Sequence, residues 1–178
     1  MRGMYRLRTG GKGKVRVQLL GAGTILREVL AAADLLQEKF DVAADVWSVT
    51  SFSELRREAL DVERWNASHP EDEPRTSYVA ECFAKSGGPF VAATDYMKIV
   101  SDQIRQWVPG RYFTLGTDGF GRSDGREALR HHFEVDRKSV VVAALKALAD
   151  EGNLDVSTVS KAMTELGVDP DKPNPVTQ

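Results

Sequence analysis

Hydrophobic and polar positions along this chain follow two spacings, one typical of strands and the other of helices. Four short runs rich in β-branched and aromatic residues predict strands, at residues 15–20, 45–50, 89–94 and 112–116. Between these runs, apolar residues recur at intervals of three and four, as on the buried face of a helix. The helices predicted in this way cover residues 24–40, 51–65, 77–84 and 96–108.

Strand and helix therefore alternate along most of the chain, which favours an α/β fold. We predict a doubly wound, mostly parallel or mixed sheet of about five strands with helices on both faces. Residues 1–13 are basic and glycine-rich, and we interpret them as a linker or entering arm. The domain itself is then predicted to span residues 14–178.

Local signals place the starts of two helices. Ser51 and Glu54 have the spacing of a capping box, in which the serine side chain accepts a hydrogen bond from the first turn. A glycine-rich turn is predicted at residues 21–23, and the hydroxyl group of Thr24 is suited to cap the helix that follows it.

The last third of the chain has a different pattern. Short helices are predicted to begin at Asp124 and Asp136, although the run of valines at residues 140–142 also fits a strand. Gly167 indicates a helix end. The proline-rich residues 169–175 are expected to be extended on the surface.

Composition and charge narrow the class of protein. The net charge is -2 and the isoelectric point about 6.0, without the basic stripe that nucleic-acid binding requires. The longest apolar run, residues 140–145, is far shorter than the about 20 residues of a membrane span, and the start of the chain lacks the apolar stretch of a signal peptide. We expect a cytoplasmic protein with no nucleic-acid or membrane partner.

Candidate catalytic and cofactor motifs are incomplete. Gly21 and Gly23 follow a predicted strand, but Leu26 stands where a dinucleotide fingerprint requires a third glycine. His131 and His132 are adjacent, and on a helix they would point about 100° apart, whereas a metal pair needs a spacing of three or four. We therefore predict no catalytic, cofactor-binding or metal-binding residue on this chain.

One loop after the fourth predicted strand stands out as a candidate interface. Its residues are Thr117, Asp118, Gly119, Phe120, Gly121 and Arg122. The carboxyl ends of parallel strands are where ligands and partners bind, and the glycines allow turns that other residues avoid. We expect Asp118 and Arg122 to pair and Phe120 to face a neighbouring domain or subunit, while a purely structural connection or a ligand site are the alternatives.

The same loop resembles one protein family, and the resemblance extends along nearly the whole chain. The similar segments are QLLG (18–21), WSVTSF (47–52), ERWN (63–66), ATDYMK (93–98), LGTDGFGRSD (115–124), HHFEVD (131–136) and DPDKPNP (169–175). Together they resemble the carboxy-terminal domain of the homodimeric pyruvate dehydrogenase decarboxylase component, a thiamine-diphosphate-dependent enzyme of the transketolase-like superfamily. One departure lies at residues 76–78, where the family has a proline before the tyrosine.

The resemblance implies both a fold and a role. It implies a doubly wound domain like the carboxy-terminal domain of transketolases. It also implies a full-length enzyme that uses thiamine diphosphate and magnesium to decarboxylate pyruvate and passes the acetyl group to the lipoyl group of a dihydrolipoyl acetyltransferase core. The cofactor of that family sits between two other domains, so the resemblance implies no cofactor and no catalytic residue on this chain.

The function expected from this resemblance is that of a packing domain. Its partners would be the remaining domains of the same enzyme, the second subunit of a homodimer and the acetyltransferase core. Two alternatives stay open: an independent regulatory module that binds a small ligand, and a docking module for another subunit of the complex. Exposed apolar surface around Phe120 and residues 3–7 would favour packing, whereas a deep pocket at residues 21–23 would favour a ligand.

Overall fold

The computed structural model describes residues 2–177, which contain a five-stranded sheet flanked by helices. The strands are β1 (Met4–Arg8), β2 (Val15–Ala22), β3 (Val42–Val49), β4 (Phe90–Ala93) and β5 (Tyr112–Leu115). The helices are α1 (Leu26–Phe40), α2 (Phe52–Ser68), α3 (Tyr78–Phe83), α4 (Lys98–Asp102), α5 (Arg126–His132), α6 (Arg137–Asp150) and α7 (Val156–Leu166). Short 3-10 turns lie at Gly23–Ile25, Arg105–Trp107 and Pro175–Thr177.

The strand order is β1-β3-β2-β4-β5, and the sheet is mixed. Strands β2 to β5 are parallel to their neighbours, whereas β1 pairs antiparallel with β3. The chain moves from β2 outward to β3 and then returns to the other side of β2 to form β4, so the order reverses between β2 and β4. This arrangement confirms the predicted doubly wound α/β fold.

Two apolar cores lie on opposite faces of the sheet. One core packs α1, α6 and α7 against the sheet, and the other packs α2 and α3. Successive residues of a strand point to opposite faces, so Leu19 enters the first core and its neighbour Leu20 enters the second. All eight residues of β3 are buried, as expected for a strand covered on both faces.

The segment before residue 14 differs from the prediction of a linker. Residues 4–8 form the edge strand β1, in which Met4 is buried and pairs with Val49. The Tyr78 hydroxyl donates a hydrogen bond to the Met4 carbonyl at 3.0 Å. This bond attaches β1 to helix α3. We therefore propose that the domain includes β1 and begins before residue 14. Met1 and Gln178, the ends of the predicted ranges, lie outside the described residues.

The helix predicted over residues 96–108 is also corrected. The structure has only the short helix α4, followed by the 3-10 turn at Arg105–Trp107. Tyr96 and Met97, the two apolar residues at the start of the predicted helix, are exposed. At the first residue of α4, the carboxylate of Asp118 accepts a hydrogen bond from the backbone N–H of Lys98, at 3.0 Å.

Several local predictions are confirmed. The Ser51 hydroxyl caps α2 by accepting a hydrogen bond from the Glu54 N–H at 3.1 Å. Asp136 caps α6 in the same way through the Ser139 N–H at 2.8 Å, and residues 140–142 lie within this helix rather than in a strand. Gly167 ends α7 in the left-handed conformation. Within residues 2–177, no helix combines the length and the apolar character that crossing a membrane would require.

Candidate interface loop and ligand pocket

The candidate interface loop, residues 117–122, follows β5 at the carboxyl edge of the sheet. The Thr117 hydroxyl donates a hydrogen bond to the Asp95 carbonyl at 2.9 Å. The Thr117 N–H donates another to the Tyr96 carbonyl at 2.9 Å. These two contacts join the loop to the segment that leaves β4, because the carboxyl ends of parallel strands lie side by side.

The expected pairing of Asp118 with Arg122 is wrong. Asp118 instead accepts the hydrogen bond from Lys98 described above, and no ion pair between Asp118 and Arg122 is present within residues 2–177. The side chain of Arg122 is left at the mouth of a pocket on the same edge of the sheet. The partner of Asp118 is therefore 20 residues away in the chain, whereas the expected partner is only four residues away.

The backbone shape of the loop depends on one of its two glycines. Gly119 has a φ of 109°, a conformation that residues with a side chain rarely adopt. A Cβ atom at this position would also lie 2.4 Å from the carbonyl oxygen of Pro175. Gly121 has no positive φ and no atom within 4 Å of such a Cβ. The proline-rich tail, expected to be merely extended, is thus bound against Gly119, and Pro175 is buried.

Phe120 is exposed to solvent in the isolated chain. Its relative exposure is 78%, higher than that of any other large apolar side chain in residues 2–177. Four further exposed apolar residues follow β4 or belong to the tail: Tyr96, Met97, Ile99 and Val176. We call these four residues together with Phe120 the apolar edge.

The apolar edge is assembled by contacts between three separate segments. Thr117 binds the backbone of Tyr96, as described above, and the Cβ position of Gly119 is 3.3 Å from the Cα atom of Val176. The loop therefore brings the segment after β4 and the tail next to Phe120. An apolar surface of this kind marks an interaction site more often than a lone exposed residue does.

A pocket of about 330 Å³ lies beside the apolar edge, between the loop and α5. Its apolar wall consists of Ile25, Leu129, Phe133 and Val135. Its polar rim consists of Thr24, Asp95, Thr117, Arg122, Arg126 and Arg130. The pocket therefore opens next to the end of β2 and the 3-10 turn at Gly23–Ile25, close to residues 21–23, where a pocket would favour a ligand site.

Thr24 does not cap α1, contrary to the prediction. Its hydroxyl group donates a hydrogen bond to a carboxylate oxygen of Asp95 at 3.2 Å, and α1 begins after a 3-10 turn without a side-chain cap. Gly21 and Ala22 belong to β2 rather than to a turn. The Thr24 and Asp95 side chains thus join the end of β2 to the end of β4 at the polar rim of the pocket.

A buried carboxylate behind the pocket orients one of the rim arginines. The Glu28 carboxylate accepts hydrogen bonds from Arg130 Nη1 at 2.8 Å and from Arg137 Nε at 2.9 Å. Burial raises the pKa of Glu28, but the hydrogen bonds and charge of Arg137, together with the charge of Arg130, outweigh it. The pKa of Glu28 is therefore lowered, and the group stays ionised at neutral pH.

Residues with nucleophilic or metal-binding potential lie apart from one another. Burial raises the pKa of the half-buried Cys82 thiol, which makes it a weaker nucleophile at neutral pH. His131 Nδ1 lies 3.5 Å from an Asp136 oxygen on the surface, and His132 packs against Phe133. No group of three or more His, Cys, Asp and Glu side chains in residues 2–177 is placed to hold a metal ion. The absence of catalytic and cofactor residues stays a prediction.

Sequence reasoning missed the pocket and most of the apolar edge. Arg126 and Arg130 were not predicted as site residues, because they lie in a short helix without a sequence motif. Tyr96 and Met97 lie within the predicted helix 96–108, and the apolar spacing of that helix indicates burial rather than exposure. The useful signal was Asp95, a polar residue directly after a buried strand, where parallel strands place ligand-binding groups.

Comparison with protein families and curated proteins gives consistent results. The sequence model of the transketolase-like TK C-terminal domain matches residues 3–136. The pyruvate dehydrogenase E1 component of Pseudomonas aeruginosa is 56% identical over 178 residues, which cover 99% of this chain and 20% of that protein. The corresponding proteins of Cupriavidus necator and Escherichia coli (strain K12) are 54% and 52% identical over 99% and 98% of this chain, and again over 20% of their own length. The chain thus spans about a fifth of the curated relatives it matches.

Solved structures support the fold. Transketolase from Campylobacter jejuni aligns with a TM-score of 0.54 and 17% identity, over 82% of this chain and 18% of that chain. Transketolase from Leishmania mexicana aligns with a TM-score of 0.53 and 16% identity, over 84% of this chain and 18% of that chain. At such identities the likeness concerns the arrangement of strands and helices alone.

Proposed function

Because this chain belongs to the transketolase-like TK C-terminal domain family, we propose that it serves as the carboxy-terminal domain of a homodimeric pyruvate dehydrogenase E1 component. The observation that carries the proposal is the identity of 56% to such a protein across 99% of the chain. Transketolases share the fold at 17% identity, so the fold by itself would not separate these two activities.

The proposed enzyme oxidatively decarboxylates pyruvate and acetylates the lipoyl group of dihydrolipoyl acetyltransferase. Thiamine diphosphate and magnesium would be held by the domains that this sequence does not include. Within residues 2–177, no group of three or more His, Cys, Asp and Glu side chains is placed to hold a metal ion, and the absence of a magnesium site on this chain stays a prediction. No step of the reaction is therefore assigned to this domain, and the cytoplasm stays its predicted location.

Within that enzyme, we propose that the domain packs against the remaining domains and the second subunit. The apolar edge supports this role because it presents Phe120 and Met97 to solvent beside a loop with a constrained backbone. Burying Phe120 alone would contribute roughly 1.5–3 kcal/mol. The exposed Tyr5 and Leu7 of strand β1 offer a second apolar surface.

A domain exchange tests the proposed function. The matching segment of the Pseudomonas aeruginosa E1 component is replaced by this chain, and pyruvate decarboxylation and sedimentation of the hybrid protein are measured. We expect an active dimer, because domains that are 56% identical over 178 residues should present compatible packing surfaces. As a matched control, the domain from the Campylobacter jejuni transketolase has the same fold but 17% identity, and this second hybrid should be impaired.

A folded but monomeric or inactive hybrid carrying this chain would contradict the proposal. The isolated chain, supplied with thiamine diphosphate, magnesium and pyruvate, should show no decarboxylation above a blank. Docking to the acetyltransferase core stays an alternative role, and a sedimentation assay of the isolated chain with that core would reveal it.

A further inference from the structure

We propose that the pocket between α5 and the candidate interface loop binds a small organic anion. Arg122 and Arg126 would hold its charged group, and Leu129 and Phe133 would contact its apolar part. This inference goes beyond the proposed packing role, which requires no ligand on this domain. It concerns a site within this chain and does not depend on the identity of the whole enzyme.

The pocket lies at the point where the strand order reverses. After β2 the chain turns toward one side of the sheet, and β4 lies on the other side of β2. The connections that leave β2 and β4 on opposite sides form a crevice at the carboxyl ends of these strands. Thr24 and Asp95 lie at the rim of this crevice. Open α/β sheets bind their ligands in this crevice.

The charges around the pocket favour an anion. Within residues 2–177, neither Arg122 nor Arg126 takes part in an ion pair, and both side chains line the pocket. Arg130 shares the single carboxylate of Glu28 with Arg137, so it is held at the wall of the pocket and we do not count it as a free charge. Asp95 contributes one negative charge to the lining of the pocket, whereas Arg122 and Arg126 together contribute two positive charges. Guanidinium groups bind carboxylates and phosphates through paired hydrogen bonds.

The walls of the pocket are apolar and belong to the first core. Ile25 and Val135 are buried, and Leu129 of α5 is half-buried. Helix α5 contains no fully buried residue, and its Leu129 packs against the first core. The volume of about 330 Å³ lies in the range of known small-molecule sites, roughly 300–1,000 Å³. An apolar group attached to the anion would fill this space.

Phenyl phosphate is a suitable probe because it combines an anionic group with an apolar ring. Its binding to the 178-residue chain is followed by NMR, with inorganic phosphate and phenol as the two partial probes. We expect saturable shifts of the amide signals of Thr24, Thr117 and Leu129. We also expect phenyl phosphate to bind about tenfold more tightly than either partial probe, since each lacks one of the two contacts.

Two double variants separate the site from general attraction to a charged surface. Arg122→Gln/Arg126→Gln should weaken the binding of phenyl phosphate by about tenfold or more. Arg56→Gln/Arg64→Gln removes the same charge from exposed positions on α2, at the other face of the sheet, and should leave the affinity unchanged. A thermal melt of each variant checks that the fold is retained. Leu129→Ser should weaken phenyl phosphate binding and leave inorganic phosphate binding unchanged.

Three results would overturn the inference. The first is a shift that does not saturate, or that centres on the apolar edge instead of the pocket. The second is an equal loss of affinity in the two double variants, which would indicate nonspecific attraction. The third is phenol binding as tightly as phenyl phosphate, which would indicate an apolar cavity without anion recognition. A failed domain exchange would leave these measurements unaffected, so the two proposals fail separately.

Discussion

Gly119 lies so close to Pro175 that a Cβ atom on Gly119 would be 2.4 Å from the proline carbonyl oxygen. This contact joins the loop after β5 to the tail, two segments separated by more than 50 residues of sequence. It explains why the loop and the tail together form one side of the apolar edge.

Replacing Gly119 with alanine should therefore strain the loop and displace the tail. The φ of 109° and the clash with Pro175 together should cost about 1–3 kcal/mol of unfolding free energy. Gly121→Ala in the same loop meets no atom within 4 Å and should cost less than about 0.5 kcal/mol. Urea unfolding of both variants measures the difference. Equal stabilities would show that the tail is not bound against Gly119 in solution.

Phe120→Ala should have little effect on the isolated chain, because the ring is 78% exposed. We expect a change of less than about 0.5 kcal/mol in a thermal or urea melt. Phe83→Ala removes a ring that is 1% exposed and should cost about 3–5 kcal/mol.

In the full-length enzyme, the same Phe120→Ala change should weaken dimerisation or domain packing by roughly 1.5–3 kcal/mol. Sedimentation of the dimer measures this effect, and activity should fall only as the dimer dissociates. A large loss of stability in the isolated chain, with the full-length dimer unchanged, would assign Phe120 to the core of this domain and remove the main support for the interface.

The Glu28 carboxylate should make the stability of the chain depend on pH. Its pKa in the folded protein lies below the ordinary value of 4.5. The stabilisation is therefore complete above pH 4.5 and is lost as the pH falls through the folded-state pKa. Glu28→Gln should lower the unfolding free energy at pH 7 by about 1–3 kcal/mol, and the gap to the unmodified chain should narrow in acid.

Urea unfolding at neutral and acidic pH measures this gap. Glu71→Gln, a change at an exposed position in the turn after α2, provides the control and should show neither effect. A constant gap across the pH range would mean that the charge of Glu28 is not what links α1 to Arg130 and Arg137.

Gln18 supports a buried polar cluster at the centre of the sheet. Its side-chain oxygen accepts a hydrogen bond from Trp47 Nε1 at 2.8 Å, and its amide nitrogen donates to Asp45 at 3.0 Å. Gln18→Leu should cost about 2–4 kcal/mol, because buried Trp47 and Asp45 each lose a partner.

The measurement is urea unfolding followed by tryptophan fluorescence. Gln106→Leu, at an exposed position, makes the same change of side chain and should be close to neutral. A neutral Gln18→Leu variant would show that water or a rearranged side chain satisfies Trp47 and Asp45 equally well.

The sequence by itself determined those strands and helices whose formation depends on residues close together in the chain. Ser51 and Asp136 begin α2 and α6 because their side chains bind amides three residues away. Strands β2 and β3 were predicted because residues 15–20 and 45–50 are short runs rich in β-branched and aromatic residues. The candidate interface loop was found from its glycines and its position after β5, and its contact with a partner stays a prediction.

Tertiary structure alone decided the features that depend on partners far away in the sequence. Met4 to Arg8 became a strand because β3 offers an edge to pair with, not because these five residues have a clear pattern. Asp118 binds the backbone N–H of Lys98 instead of Arg122 because the ends of β4 and β5 are neighbours in the sheet. The pocket exists because the strand order reverses between β2 and β4, which brings Thr24, Asp95 and Arg126 together. Side-chain spacing reports which face of an element is buried, but the packing of the elements decides which residues meet at a site.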